Sequence, residues 1–106
     1  MRFAKDEIAF VDRLPRTIAN IEIARQLVKA SGSVGANYIE ANESLGRKDF
    51  LMRIRISRKE SKESRYWLRL VKCNASDVPT QDKLTQESTE LMKIFGAILR
   101  NSTKES

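Results

Sequence analysis

The sequence predicts an all-α fold, an up-down-up-down antiparallel four-helix bundle with a short first helix. Three observations predict it. Apolar residues recur at alternating steps of three and four through four separate segments, the period of a helix that buries one face. Pro15, Gly46 and Pro79 fall between those segments and leave only short connections, so consecutive helices must be antiparallel neighbours. No segment alternates apolar and polar residues as a strand would, and no repeat or low-complexity tract interrupts the pattern. The length of 106 residues suits one domain. Hydrophobic residues at 41% against charged residues at 32% are enough to build a modest core, which sets the chain apart from disordered sequences.

The first helix is expected over residues 2–14, where Phe3, Glu7, Phe10 and Leu14 form one line with Ala4, Ile8 and Val11 beside it. Pro15 ends it, because the residue before a proline is pushed out of the helical region. The second helix is expected over 17–43, with Thr17 as N-cap. Its face is Asn20, Ala24, Leu27, Ser31, Val34, Tyr38, Ala41 and Leu45. Gly32 and Gly35 interrupt this helix at a cost of about 1 kcal/mol each relative to alanine. Ser31 with Gly35 and Gly32 with Ala36 therefore predict a groove of small residues where another helix crosses closely. A phosphate-binding glycine loop would need a preceding strand and a different spacing. Gly46 is expected to close this helix in a left-handed C-cap conformation.

The third helix is expected over 48–74, with a core line of Phe50, Ile54, Ser57, Ser61, Ser64, Leu68, Val71 and Ala75. Its three small serines should face the small residues of the second helix and bring the two unusually close. The fourth helix is expected over 80–99, restarted by Pro79, with Leu84, Ser88, Leu91, Phe95 and Ile98 inward and Gly96 again allowing close packing. Asn101 to Ser106 is polar and is expected to fray.

The residue inventory excludes much chemistry. There is no histidine, so serine triads, histidine proton shuttles, helical Glu-x-x-His iron sites and Cys/His zinc sites are all excluded. The single cysteine, Cys73, reads as a packed helix residue, since nothing is available to activate it. Glu40 with Glu43, or Glu60 with Glu63, has the spacing to hold a hard metal, but acids three apart are common on helices. No catalytic residue, cofactor or metal is expected. No apolar run is long enough for a membrane span. Asp6 and Glu7 fall too early for a signal peptide, so a cytoplasmic location is expected.

Charge is the informative feature. The chain carries a net +6, and the segment from Arg47 to Lys72 holds ten basic and three acidic residues, so the remainder sums to −1. Arg55, Arg58, Lys62, Arg65, Arg69 and Lys72 recur at steps of three and four along one side of the third helix. At ~1.5 Å per residue they form a ribbon about 25 Å long. Such a ribbon supplies phosphate contacts without base readout, which nominates Arg55, Arg58, Lys62, Arg65 and Arg69 as nucleic-acid contacts, to RNA or DNA. The ordinary alternative is a solvated helix face. A further line of Met52, Ile56, Glu63, Trp67 and Leu70 makes the helix apolar on a second side. Either the bundle wraps it, or a second copy covers Met52, Ile56, Trp67 and Leu70.

Residues 31–44, Ser-Gly-Ser-Val-Gly-Ala-Asn-Tyr-Ile-Glu-Ala-Asn-Glu-Ser, are followed by Lys48-Asp49-Phe50 and then by Arg58-Lys59-Glu60-Ser61-Lys62-Glu63-Ser64-Arg65-Tyr66-Trp67-Leu68. This combination resembles the four-helix bundle proteins of the 23S rRNA intervening-sequence (S23) family, which includes the accessory protein of diversity-generating retroelements. The match is continuous over roughly residues 14–71 and looser beyond. The resemblance implies a homopentameric basic barrel associated with nucleic acid or with a reverse transcriptase, and a first helix that begins further upstream in relatives, so that here it is either a short arm or trimmed at its start. Two functions follow as expectations. The first is an oligomeric, non-enzymatic nucleic-acid-binding module. The second is a protein-interaction scaffold whose basic face meets an acidic protein or a nucleic-acid enzyme.

Overall fold

The computed structural model describes residues 2–104, which form α1 (Arg2–Val11), α2 (Ile18–Asn42), α3 (Arg47–Leu70) and α4 (Val78–Lys104). A single 3-10 turn at Ala75–Asp77 precedes α4. Among the described residues there is no strand. The helices pack in a closed cycle, α1 on α2, α2 on α3, α3 on α4 and α4 on α1. Partners across the α2–α3 and α3–α4 seams run in opposite senses. Asn37 meets Arg53, Val34 meets Ser57 and Asn20 meets Lys72. Arg65 meets Thr89, and Leu68 meets Gln81. The bundle is therefore antiparallel throughout, with α1 the short arm.

The apolar lines become the core. Phe3, Phe10, Leu14, Leu27, Leu68, Val71 and Leu84 pack at one end, and Val34, Ala41, Ile54 and Phe95 at the other. Between these halves the same helix faces carry Glu7, Ser31, Ser57, Ser61, Ser64 and Ser88, all buried. The waist of the bundle is thus polar. Its serines satisfy themselves on backbone carbonyls: Ser61 on Ser57, Ser64 on Glu60 and Ser88 on Thr85. Ser57 instead reaches across the seam and donates to the Val34 carbonyl of α2 at 3.1 Å. A side chain this short reaches another helix's backbone only where the two backbones run close together.

Several local expectations change. Gly32 is exposed, and a Cβ placed there would meet nothing within 4 Å, so this glycine lies outside the α2–α3 crossing. Leu45 falls past the end of α2 and is fully exposed. Gly46 is not a left-handed C-cap. It is the N-cap of α3 with extended backbone, φ −124° and ψ 151°, while Glu43 caps α2 in a right-handed conformation. Thr17 caps α2 as expected, its hydroxyl accepting from the Asn20 N–H at 3.1 Å.

α3 ends at Leu70, four residues early, for a long-range reason. The Asn20 side chain accepts from the Lys72 N–H at 3.1 Å and donates to the carbonyls of Lys72 and Pro15 at 2.7 and 2.9 Å. Gln81 donates to the carbonyls of Leu68 and Val71 at 2.8 and 3.0 Å. These two amides take the backbone groups that a further helical turn would have used. Cys73 consequently lies in the loop, where its thiol donates to Gln81 Oε1 at 3.4 Å. Burial pushes that thiol up, and the Asp77 carboxylate adds to the effect, so it stays protonated. At the other end α4 continues through Asn101 to Lys104, where fraying was expected; Glu105 and Ser106 lie outside the described residues.

Candidate nucleic-acid interface

The flank of α3 is set by its core line. With Ile54, Ser57, Ser61, Ser64 and Leu68 buried, a step of 100° per residue turns Arg55, Arg58, Lys62, Arg65 and Arg69 toward one neighbour. That neighbour is α4. Arg65 donates to Thr89 Oγ1 at 3.3 Å, and Arg58 lies over Gly96. A groove of about 350 Å³ opens between the helices, lined by Arg55, Arg58, Lys59, Lys62, Met92 and Leu99. A separate groove of about 350 Å³ is lined by Arg69, Gln81, Asp82, Thr85, Gln86 and Thr89. The five candidates therefore share one seam. Arg65 is half-buried and the other four are exposed. Lys72 lies beyond the end of α3 and does not continue the ribbon.

Asp82 lines the groove beside Arg69, and Lys62 also reaches a groove that holds two acids. Among the described residues none of these five cations forms an ion pair. Glu60 and Glu63 lie on the opposite flank, toward α2, in a groove of about 610 Å³ shared with Gln26, Lys29, Lys59, Lys62, Tyr66 and Trp67. Burial raises the Glu60 carboxyl, and the charge of Glu63 raises it further, against the opposing Lys59 and Lys29. Glu40 and Glu43 are both exposed near the end of α2. Among the described residues no group of three or more histidine, cysteine or acidic side chains stands together. Asn37 is drawn into the structure. It donates to Ser33 and accepts from Arg53 Nη1 at 3.1 Å.

The four apolar residues of the second line divide. Met52 and Leu70 are exposed at opposite ends of α3, while Ile56 and Trp67 are half-buried between them. Tyr66 packs edge-on against Trp67 with ring centroids 4.9 Å apart and is itself exposed. Sequence reasoning missed a second outward stripe. Ile18, Ile21, Val28 and Ile39 of α2 are all exposed. The signal was present, since Ile18, Ile21, Arg25, Val28, Gly32, Gly35 and Ile39 recur at steps of three and four. It was masked by the stronger core line of the same helix.

Arg100 was also missed. It belongs to α4, beyond the expected end of that helix, and reaches the same Gly96 as Arg58. Among the described residues no helix is long and apolar enough to cross a membrane.

These features define a small antiparallel helical bundle with a cationic α3–α4 seam. The chain belongs to the 23S rRNA-intervening sequence protein family, which it matches over residues 1–97. It is similar to the crystal structure, at 1.70 Å, of a protein of unknown function from the S23 ribosomal protein family of Bacteroides thetaiotaomicron VPI-5482. The two share 24% identity and a TM-score of 0.62, over 92% of this chain and 97% of that one, a likeness of fold. No curated protein matches the chain.

Proposed function

We propose that this protein is a non-enzymatic, oligomeric bundle of the cytoplasm that binds the backbone of RNA or DNA through the α3–α4 seam, without reading sequence. One observation carries the proposal. Arg55, Arg58, Lys62, Arg65 and Arg69 lie along one flank of α3, and among the described residues none of them forms an ion pair. An uncompensated row of cations is matched by phosphates and releases counterions when it meets them. The family name, which refers to an intervening sequence of 23S rRNA, points the same way. A ring of copies, five by family resemblance, would present several seams at once and multiply a weak non-specific affinity. Its subunit contacts are assigned to Met52, Ile56, Trp67 and Leu70 on α3, joined by the outward stripe of α2.

The test is charge reversal. The double variant Arg58→Glu, Arg65→Glu should abolish RNA and DNA gel shifts while light scattering shows the same mass. Unchanged binding would sink the proposal.

The exposed Tyr66 and Leu70 support a second reading, a scaffold for an acidic protein or a nucleic-acid enzyme. A partner that survives nuclease treatment in a pull-down would favour it. Loss of every partner after nuclease would count against it.

A further inference from the structure

The groove between α2 and α3 holds about 610 Å³, within the roughly 300–1,000 Å³ of small-ligand sites. Gln26, Lys29 and Ala30 line it from α2, and Tyr66 and Trp67 line it from α3. The two rings meet nearly edge to face, with centroids 4.9 Å apart and planes at 73°. In that arrangement each ring keeps at least one face uncovered by the other. Tyr66 is 58% exposed, so its free face is open to a ligand. Charge is sorted across the groove. Lys59 and Lys62 line it and also line the groove toward α4 that holds Arg55 and Arg58, so they form a crest between the two. Glu60 and Glu63 stand on the α2 side of that crest, and among the described residues neither is ion-paired. Tyr66 is itself set in a row of cations. Lys59, Lys62, Tyr66 and Arg69 recur at steps of three, four and three, and all four are exposed. Lys62 and Arg69 bracket the ring within about 6 Å along the helix axis.

We propose that this groove takes one unpaired nucleotide of a bound RNA or DNA strand, its base stacked on Tyr66 and its phosphate held on the crest by Lys59 and Lys62. The proposal rests on the reading of the α3–α4 seam as a nucleic-acid interface. It adds Lys59 and Tyr66 to that interface and names the form of the strand, because a paired base stays within its own stack. A nucleotide joins a flat, uncharged base to an anion, and the groove is its complement. Stacking on a tyrosine ring is open to every base, so the strand is held without its sequence being read. The lysines draw the phosphate to the crest, while the two carboxylates repel it from the interior, so the base is the part that enters. A purely cationic ligand is disfavoured, since three lysines here face two glutamates. An acidic peptide would bring anions but no flat ring for Tyr66.

The experiment measures fluorescence anisotropy of a labelled single-stranded RNA, and of the same RNA annealed into a duplex, with the full chain. Trp67 is the sole tryptophan, so its emission reports on the groove. The parent should bind the single strand more tightly than the duplex, and only the single strand should change Trp67 emission. Tyr66→Ala alters an exposed helical position and should fold. It should weaken single-strand binding roughly ten-fold, the order of one lost stacking contact, and leave duplex binding unchanged. Tyr66→Phe should bind like the parent. Lys59→Gln should lower the slope of log affinity against log salt by about 0.7, the value of one phosphate contact on a single strand. If Tyr66→Ala binds both forms as the parent does while the Arg58, Arg65 reversal abolishes binding, the stacking site is wrong and the interface stands. If neither variant changes binding, both fall. Equal losses on single strand and duplex in Tyr66→Ala would also overturn the stacking site. A lower mass for Tyr66→Ala in light scattering would overturn it in favour of a subunit contact. A mononucleotide that displaces the strand at a comparable concentration would mark a free-nucleotide site and overturn the strand assignment.

Discussion

Ser31 Oγ stands between two acceptors, 2.5 Å from Glu7 Oε2 and 3.2 Å from the Val28 carbonyl. A hydroxyl has one proton to give. Both bonds form together only when Glu7 supplies the second proton, as a neutral carboxylic acid donating to Ser31. The other Glu7 oxygen, Oε1, is buried with no partner, which a charged carboxylate would tolerate far worse than a neutral one. Burial pushes the Glu7 carboxyl up, and the Ser31 hydroxyl opposes only part of that rise.

The pH dependence follows with a definite sign. The folded chain holds the Glu7 proton more tightly than the unfolded chain does. Its stabilising effect is complete below the ordinary carboxylate value of 4.5 and is lost as pH rises through the raised folded value. Glu7→Gln keeps the shape and a donor for Ser31 but cannot ionise. It should match the parent within about 1 kcal/mol at pH 4 and exceed it by about 1 kcal/mol or more at pH 8. Urea unfolding at the two pH values checks this. An equal stability difference at both would show that Glu7 does not titrate in the core.

How much of this was legible beforehand differs by feature. Phe3, Glu7, Phe10 and Leu14 were placed on one line by spacing alone, and all four are buried. The serine line of α3 and the Thr17 cap were legible for the same local reasons. The end of α3 was not, because Asn20 and Gln81 stop it from other parts of the chain. Gly46 sat at the right turn, but a glycine suits an N-cap as well as a left-handed C-cap, and spacing cannot choose between them. For the ribbon, spacing set the angle of Arg55 to Arg69 around α3 without saying that α4 is the neighbour there. Arg100 stayed hidden because the fourth helix was expected to end at residue 99, one residue before it, whereas α4 runs on to Lys104.

Asn20 should be among the least replaceable polar residues. It makes three hydrogen bonds to the backbone of two connections, and it is buried. Asn20→Ala leaves the Lys72 N–H and two carbonyls without these partners, at about 2–4 kcal/mol. A fall in Tm of roughly 10 °C or more is expected for a chain of this size. Asn20→Asp should be nearly as damaging. It keeps the acceptor but turns a carboxylate oxygen toward the carbonyls of Pro15 and Lys72. Thermal unfolding of the two variants decides, and an Asp variant as stable as the parent would refute the donor role.

Ser57 tests the close approach of α2 and α3. Ser57→Ala loses one hydrogen bond to the Val34 carbonyl and should cost about 1 kcal/mol. Ser57→Leu adds three carbons where a fully buried side chain already touches the facing backbone, so overpacking of about 1–3 kcal/mol is added to that loss. Denaturant midpoints should therefore fall in the order parent, Ala, Leu. A Leu variant equal to Ala would mean that the seam has room to spare.

Gly32 separates folding from assembly. It is exposed in the middle of α2, and a Cβ there meets nothing within the chain. Within one bundle, Gly32→Ala should stabilise by about 0.5–1 kcal/mol through helix propensity alone. A glycine retained at that cost, in line with the exposed Ile21, Val28 and Ile39, makes sense if a second copy packs against this face. Gly32→Glu should then fold, because nothing in its own chain obstructs the side chain, yet place a desolvated charge in the contact. Light scattering should show a lower mass for Gly32→Glu than for the parent at equal concentration, with helical circular dichroism unchanged. An unchanged mass would remove this face of α2 from the subunit contact and leave Met52 and Leu70 of α3 to form it without α2.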